Sequence, residues 1–237
     1  MSDTDTDTDT DTETAPGGAS GLPLPPMRWG PRQLPIPYAA RWSGEAPDLG
    51  MLAPRPDGRG ICYRDERRTD RDDNGVLWCR LDDAPGRGRP NFGQMHPKRQ
   101  REAQLGRLCQ VCGGPASRTS RGWLFLMPLP DPSVWRNQPG WPEGAHSTKP
   151  PLCVRCAVDS VRLCPHLRRP FAVRARKATR YGVFGGFLLP EAGGGLRPLP
   201  GDEYLPYGHA DAPFFLAQQL VVELRRCTPV DLDDERS

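Results

Sequence analysis

Two Cys-x-x-Cys pairs, Cys109/Cys112 and Cys153/Cys156, stand about forty residues apart, and no other feature restricts the fold of this chain as much. Each short turn presents two thiolates from one bend, and two such turns close the tetrahedral four-thiolate shell that Zn2+ prefers. Four thiolates leave no coordination position for water, so the pattern predicts one structural zinc ion rather than a catalytic one. In residues 108–114, Gly113 and Gly114 follow the second ligand and let backbone amides turn toward sulfur. Around the second pair, Val154, Ala157, Val158 and Val161 recur at i, i+3, i+4 and i+7, which predicts an amphipathic helix stopped by Pro165. Cys164 and His166, at the far end of that helix, are alternative ligands able to exchange for one thiolate. Between the pairs, residues 122–127 are apolar and read as one arm of a hairpin, with Trp123 placed to screen the metal from water.

The order knuckle, hairpin, and helix with two ligands in its first turn resembles a treble-clef zinc finger. CxxCG followed by LCxxC is similar to the zinc-bearing HNH endonucleases over about residues 99–166. That family carries an Asp-His pair on the hairpin and a second His directly after the last zinc Cys. Here the hairpin reads Trp123-Leu124-Phe125-Leu126-Met127 and Ala157 follows Cys156, so the resemblance implies zinc ligands only. A divergent nuclease would have to use His146 as its base. No other acid/base constellation or cofactor fingerprint stands in the chain, and its glycine pairs open no helix, so no nucleotide cofactor is expected.

Charge points to a partner. Six acids and no base in residues 1–27, with four acids against one arginine in the last ten, leave the body at about +12 although the whole chain is +3. A basic body fits a polyanion. A helix over 97–108, opened by Pro97, would present Lys98, Arg99, Arg101 and Arg107 to solvent, and the tract 168–180 adds Arg168, Arg169, Arg174, Arg176 and Arg180. These nine are the predicted phosphate contacts for DNA or RNA. The alternative partner is a protein, met by the Trp/Pro-rich insertion that holds Trp135 and Trp141. Arginine outnumbers lysine 29 to 3 amid abundant Gly, Pro and Ala, and the overall pattern resembles actinobacterial (Streptomyces-like) proteins.

The fold class expected is α+β: a small loop-rich domain with a treble-clef-like four-cysteine zinc module, β-hairpins and a C-terminal helix. Residues 1–27, with Asp-Thr repeated five times, read as a disordered acidic tail. Residues 28–96 form an N-terminal arm and β-hairpin region, in which 60–63 pairs with 76–81 and brings Cys62 toward Cys79. Asp70, Asp72, Asn74 and Gly75 match the opening of a calcium loop, but Leu81 stands where its closing Glu belongs. The zinc module occupies 97–167. Basic strands, at 171–173 and 181–189, and a helix over 213–226 occupy 168–227, because Leu216, Leu220 and Leu224 share a helical face and Arg225 and Arg226 suit its C-terminus. An acidic tail, 228–237, closes the chain. With no long apolar run and no secretory pattern, no membrane contact is expected, and a cytoplasmic location suits thiols over disulfides.

Overall fold

The computed structural model describes residues 27–129, 140–164, 167 and 170–236. The acidic tail up to residue 26, Trp135, His166, Arg168 and Arg169 lie outside the described residues. The fold is mixed α+β, mostly strands, with two helices longer than a single turn among the described residues.

Three small antiparallel pairs make up much of the N-terminal region. They are β1 (Arg28–Trp29) with β2 (Leu34–Pro35), β3 (Ala40–Trp42) with β7 (Pro90–Met95), and β4 (Leu52–Pro54) with β5 (Ile61–Tyr63). β6 (Leu77–Trp78) leaves this region to join the main sheet. The expected hairpin between 60–63 and 76–81 is therefore not formed. Its polar connection is instead shaped by two carboxylates. Asp72 accepts from the amides of Asn74 and Val76, from the Trp78 indole at 3.0 Å and from the Tyr207 hydroxyl at 2.9 Å. Asp70 accepts from the Arg67 amide and the Arg80 guanidinium. Both of these side chains of the calcium-like motif are occupied by internal donors. Cys62 lies in β5 and Cys79 just after β6, their sulfurs beside Pro54 O and Arg80 O rather than each other.

Helix α1 (Pro97–Leu105) comes next and stops at Gly106, short of the expected residue 108. The main sheet then assembles from β8 (Arg118–Thr119), β9 (Gly122–Pro128), β10 (His146–Ser147), β11 (Pro170–Pro190) and β14 (Phe215–Pro229), in the order β10-β14-β11-β9-β8. β12 (Leu196–Pro198) and β13 (Glu203–Pro206) fold back on β11, and β6 adds parallel to β14. Helix α2 (Val154–Leu163) is inserted between β10 and β11.

Two expectations fail here for one reason. The expected helix over 213–226 is the strand β14, and the separate strands at 171–173 and 181–189 are one strand of 21 residues. Leu216, Leu220 and Leu224 are four apart, a spacing that satisfies a period of two as well as one of 3.6. What decides is that Leu220, Val221 and Val222 are all buried, so both faces of the ribbon are covered, and β-branched and aromatic residues fit such a position. The expected acidic tail is also part of the fold. Thr228 and Pro229 belong to β14, the Val230 amide donates to Ala172 O at 3.1 Å, and Val230 and Leu232 pack on the core beside α2.

α1 docks on β14 through a side chain that behaves as a strand. Gln100 is fully buried; its Nε2 donates to Leu220 O at 3.0 Å and to Thr148 O at 2.6 Å, and its Oε1 accepts from the Leu220 amide at 2.8 Å. On the same edge of β14, β6 takes Leu216 and Ala217, and β10 takes Val222 and Glu223.

Candidate metal centre and basic surface

Cys109 and Cys112 lie on the turn between α1 and β8, Cys153 is the N-cap of α2, and Cys156 lies in its first turn. The four sulfurs lie within 4.8 Å of one another, with Cys112 Sγ and Cys153 Sγ 4.0 Å apart. A tetrahedral site with Zn–S near about 2.3 Å places its sulfurs roughly 3.8 Å apart, so the donor set fits a zinc-sized ion.

The backbone builds this arrangement locally. Gly113 N donates to Cys109 O at 2.9 Å, and Cys109 N donates to Gly114 O, which closes the knuckle. Gly113 has φ +71°, and a Cβ there would stand 3.0 Å from the Tyr38 ring, so glycine is required twice over. Gln110 N donates to Pro151 O at 3.0 Å, tying one CxxC to the approach of the other. Ser117 N to Leu152 O and Leu152 N to Leu124 O fasten the second pair to the β8–β9 hairpin. Val111, Leu124, Leu126, Leu152, Ala157 and Ala172 surround the sulfurs with apolar surface, and Cys109 is fully buried.

In such surroundings four negative charges need a cation. Hydrogen bonds from Cys109 and Cys156 hold the Cys153 thiol well below its ordinary value, whereas the bonds to Cys109 and Cys153 push Cys156 up and the bond to Cys153 pushes Cys109 up. A divalent cation lets all four ionise, and the positive end of α2 helps at Cys153 and Cys156.

Other expected participants stand elsewhere. On β9, Leu124 and Leu126 face the cysteines, while Trp123 packs in the neighbouring core with Arg107 and Arg118 over its ring at 5.3 and 4.6 Å. Trp123 therefore does not screen the sulfurs. Cys164 caps the far end of α2 and is outside the four-sulfur group. His146 is on β10, its ring 3.7 Å from that of Tyr181 and its Nε2 3.9 Å from Glu223.

A second cluster of ligand-type side chains, Glu45, Asp83 and His96, has no signal in the sequence. Arg99 reaches into it. Its guanidinium donates to Glu45 Oε1 at 2.8 Å and Oε2 at 2.9 Å, to Asp83 Oδ1 at 2.5 Å, and to the carbonyls of Ala40 and Tyr38. Burial alone would raise the Glu45 pKa, but Arg99 and the amides of Trp42 and Ala84 overcome it and hold the carboxyl below its ordinary value. Burial, and then Arg99, lower the His96 pKa, so this imidazole stays neutral. Its Nε2 meets Asp82 O at 3.0 Å, while its buried Nδ1 has no hydrogen-bond partner among the described residues.

The solvent face expected for Arg99 is corrected by the structure: its side chain is 4% exposed. The helix buries a polar face, Arg99, Gln100 and Gln104, because their partners come from distant segments. Arg174 is corrected in the same way. It is interior, paired with Glu235 and donating to Gly122 O at 2.9 Å and Ser117 Oγ at 3.0 Å. Lys98 is exposed but bridged to Asp83 at 2.7 Å, and Arg101 lies over the Trp78 ring at 4.7 Å. Arg107, expected on the solvent face, donates to Ala178 O at 2.6 Å and Gln104 O at 2.9 Å. Arg176 and Arg180 are exposed, the latter 3.8 Å from Asp73. Comparison with protein-family models, curated proteins and solved structures returned no match.

Proposed function

We propose that the protein is a non-catalytic zinc-binding protein whose basic body binds DNA or RNA. The convergence of Cys109, Cys112, Cys153 and Cys156 to within 4.8 Å carries the zinc assignment. Knuckle, hairpin and helix follow in the order of a treble-clef finger, which supports that description of the module. The ion would cross-link the 109–112 turn to α2, and a closed thiolate shell gives it no substrate position. Eight free thiols suit a cytoplasmic setting. For the partner, the support is the charge of about +12 on the body, with Arg176 and Arg180 remaining exposed among the expected contacts.

The protein-partner reading draws less support, because Trp141 packs against Phe171 with ring centroids 4.5 Å apart. The nuclease reading rests on His146, which is engaged with Tyr181 and Glu223. The test is metal analysis of purified protein together with equilibrium binding to labelled duplex DNA and single-stranded RNA across a salt series. One zinc per chain and binding that weakens linearly in log salt are expected. Zinc-free folded protein ends the metal assignment, absence of binding at low salt ends the nucleic-acid one, and shortened oligonucleotide ends the non-catalytic one.

A further inference from the structure

The β11–β14 ribbon carries a group of cations at the place where the sheet is narrowest. Lys177 pairs directly with Arg225, and Arg176 and Arg226 lie between that pair and Ala175↔Cys227. β9 pairs with β11 only as far as Ala175, β13 begins at Gly182, and β10 begins opposite Glu223, with the Ala145 carbonyl and Gly144 amide before it bonded to Leu224. All four cations are exposed. Like charges facing one another across a sheet repel, as Lys177 and Arg225 do here, and Arg176 and Arg226 stand next to that pair. Arg226 also has φ 54°, a left-handed conformation unusual for a residue with a long side chain.

Nearby acids neutralise only part of the group, at Arg225. Glu223 reaches Arg225 at 2.9 Å, and the Glu143 carboxylate accepts the amides of Arg226 and Cys227, each at 2.9 Å. Arg176, Lys177 and Arg226 make no ion pair among the described residues. The adjoining Ala175, Ala178 and Leu224 are buried, so the patch offers no apolar side chain for insertion into lipid. A two-stranded β-ribbon is one of the shapes that the major groove admits.

We infer that Arg176, Lys177, Arg225 and Arg226 form the site that grips the sugar-phosphate backbone of duplex DNA. This rests on the nucleic-acid reading above and adds Lys177, Arg225 and Arg226 to the expected contact Arg176. The phosphates offset the cross-strand repulsion that the free protein carries. The site draws on both strands of the ribbon, so it exists only once β11 and β14 have paired.

The test compares wild type with Arg176→Ala/Lys177→Ala/Arg226→Ala and with a control, Arg59→Ala/Arg64→Ala/Arg68→Ala, whose residues are exposed elsewhere. The readout is anisotropy of a labelled duplex DNA over a salt series, with melting temperature and zinc content measured alongside. The ribbon variant is expected to bind at least about tenfold more weakly at low salt, with a log–log salt slope shallower by about 2 to 3. Its melting temperature is expected to hold or rise, because repulsion is removed. The control is expected to match wild type. A ribbon variant that binds with wild-type affinity and slope overturns the inference while leaving the nucleic-acid reading intact. Wild-type protein that binds single-stranded RNA but not duplex DNA at low salt also overturns the inference alone, and wild-type protein that binds neither overturns both.

Discussion

Among the described residues stand two clusters of ligand-type side chains, each with its ligand atoms within 4.8 Å of one another, one of four cysteines and one of Glu45, Asp83 and His96. Only the first asks for an ion. In the second, the Arg99 guanidinium already neutralises the carboxylates and satisfies five hydrogen bonds in doing so. In the first, no ion pair with a cationic side chain is found among the described residues, and backbone amides and the end of α2 are what oppose the thiolates' charge. Proximity of potential ligands is therefore a weak criterion for a metal site. The stronger one is whether the chain provides its own counter-charge.

The largest effect expected from this contrast is at the cysteines. Cys109→Ser or Cys153→Ser, or chelation of the wild type, should release the metal and remove a binding free energy on the order of 10 kcal/mol, enough to unfold the module. Metal analysis and thermal melting would show it. A chelator that strips zinc without lowering the melting temperature would erase the distinction between the two clusters.

Next is Arg99→Met, which leaves Glu45 buried without its partner and should cost about 3–5 kcal/mol by urea denaturation with zinc still bound. Adding Glu45→Leu should recover much of that loss. If the single variant loses its zinc instead, the two clusters are not independent.

Acid should act on the Arg99 cluster with a definite sign. His96 stays neutral in the fold, so the unfolded chain takes up its proton first, and stability falls as pH drops below about 6.5. Glu45, held below its ordinary value, contributes stability at neutral pH that is lost as pH falls further, through the ordinary carboxylate range and below. Melting temperatures at fixed salt would follow both steps, and His96→Asn should flatten the upper one. Thiol protonation also weakens zinc binding, so metal content is read at each pH.

The smallest effect sharpens the comparison on a single carboxylate. Asp83 binds both Arg99 and Lys98, the latter with its side chain 59% exposed. Lys98→Ala should change stability by less than about 1 kcal/mol. A loss as large as that of Arg99→Met would mean that burial does not set the strength of these pairs.

The two clusters also differ in how far they can be read before the fold is known. The cysteines announce themselves because both pairs are local, and α2 and the β9 strand follow from nearby periodicity. The Arg99 cluster draws on residues 45, 83, 96 and 99 through no local pattern, so in the sequence Arg99 looks like an ordinary surface cation. Arg174 is hidden for the same reason, since its partner Glu235 lies in a segment that reads as an acidic tail. The strand β14 is obscured differently. Its leucines satisfy both periods, and only the layers covering both faces of the ribbon choose between them.

Gln100 has a consequence for solubility. The outer edge of β14 is held by β6 at Leu216 and Ala217 and by β10 at Val222 and Glu223, and the gap at Leu220 is filled by one side-chain amide. That amide keeps the edge from offering a vacant donor and acceptor to the strand of another molecule, the usual start of edge-to-edge aggregation. A single helix residue thus closes, at Leu220, the gap that two short strands leave in this edge.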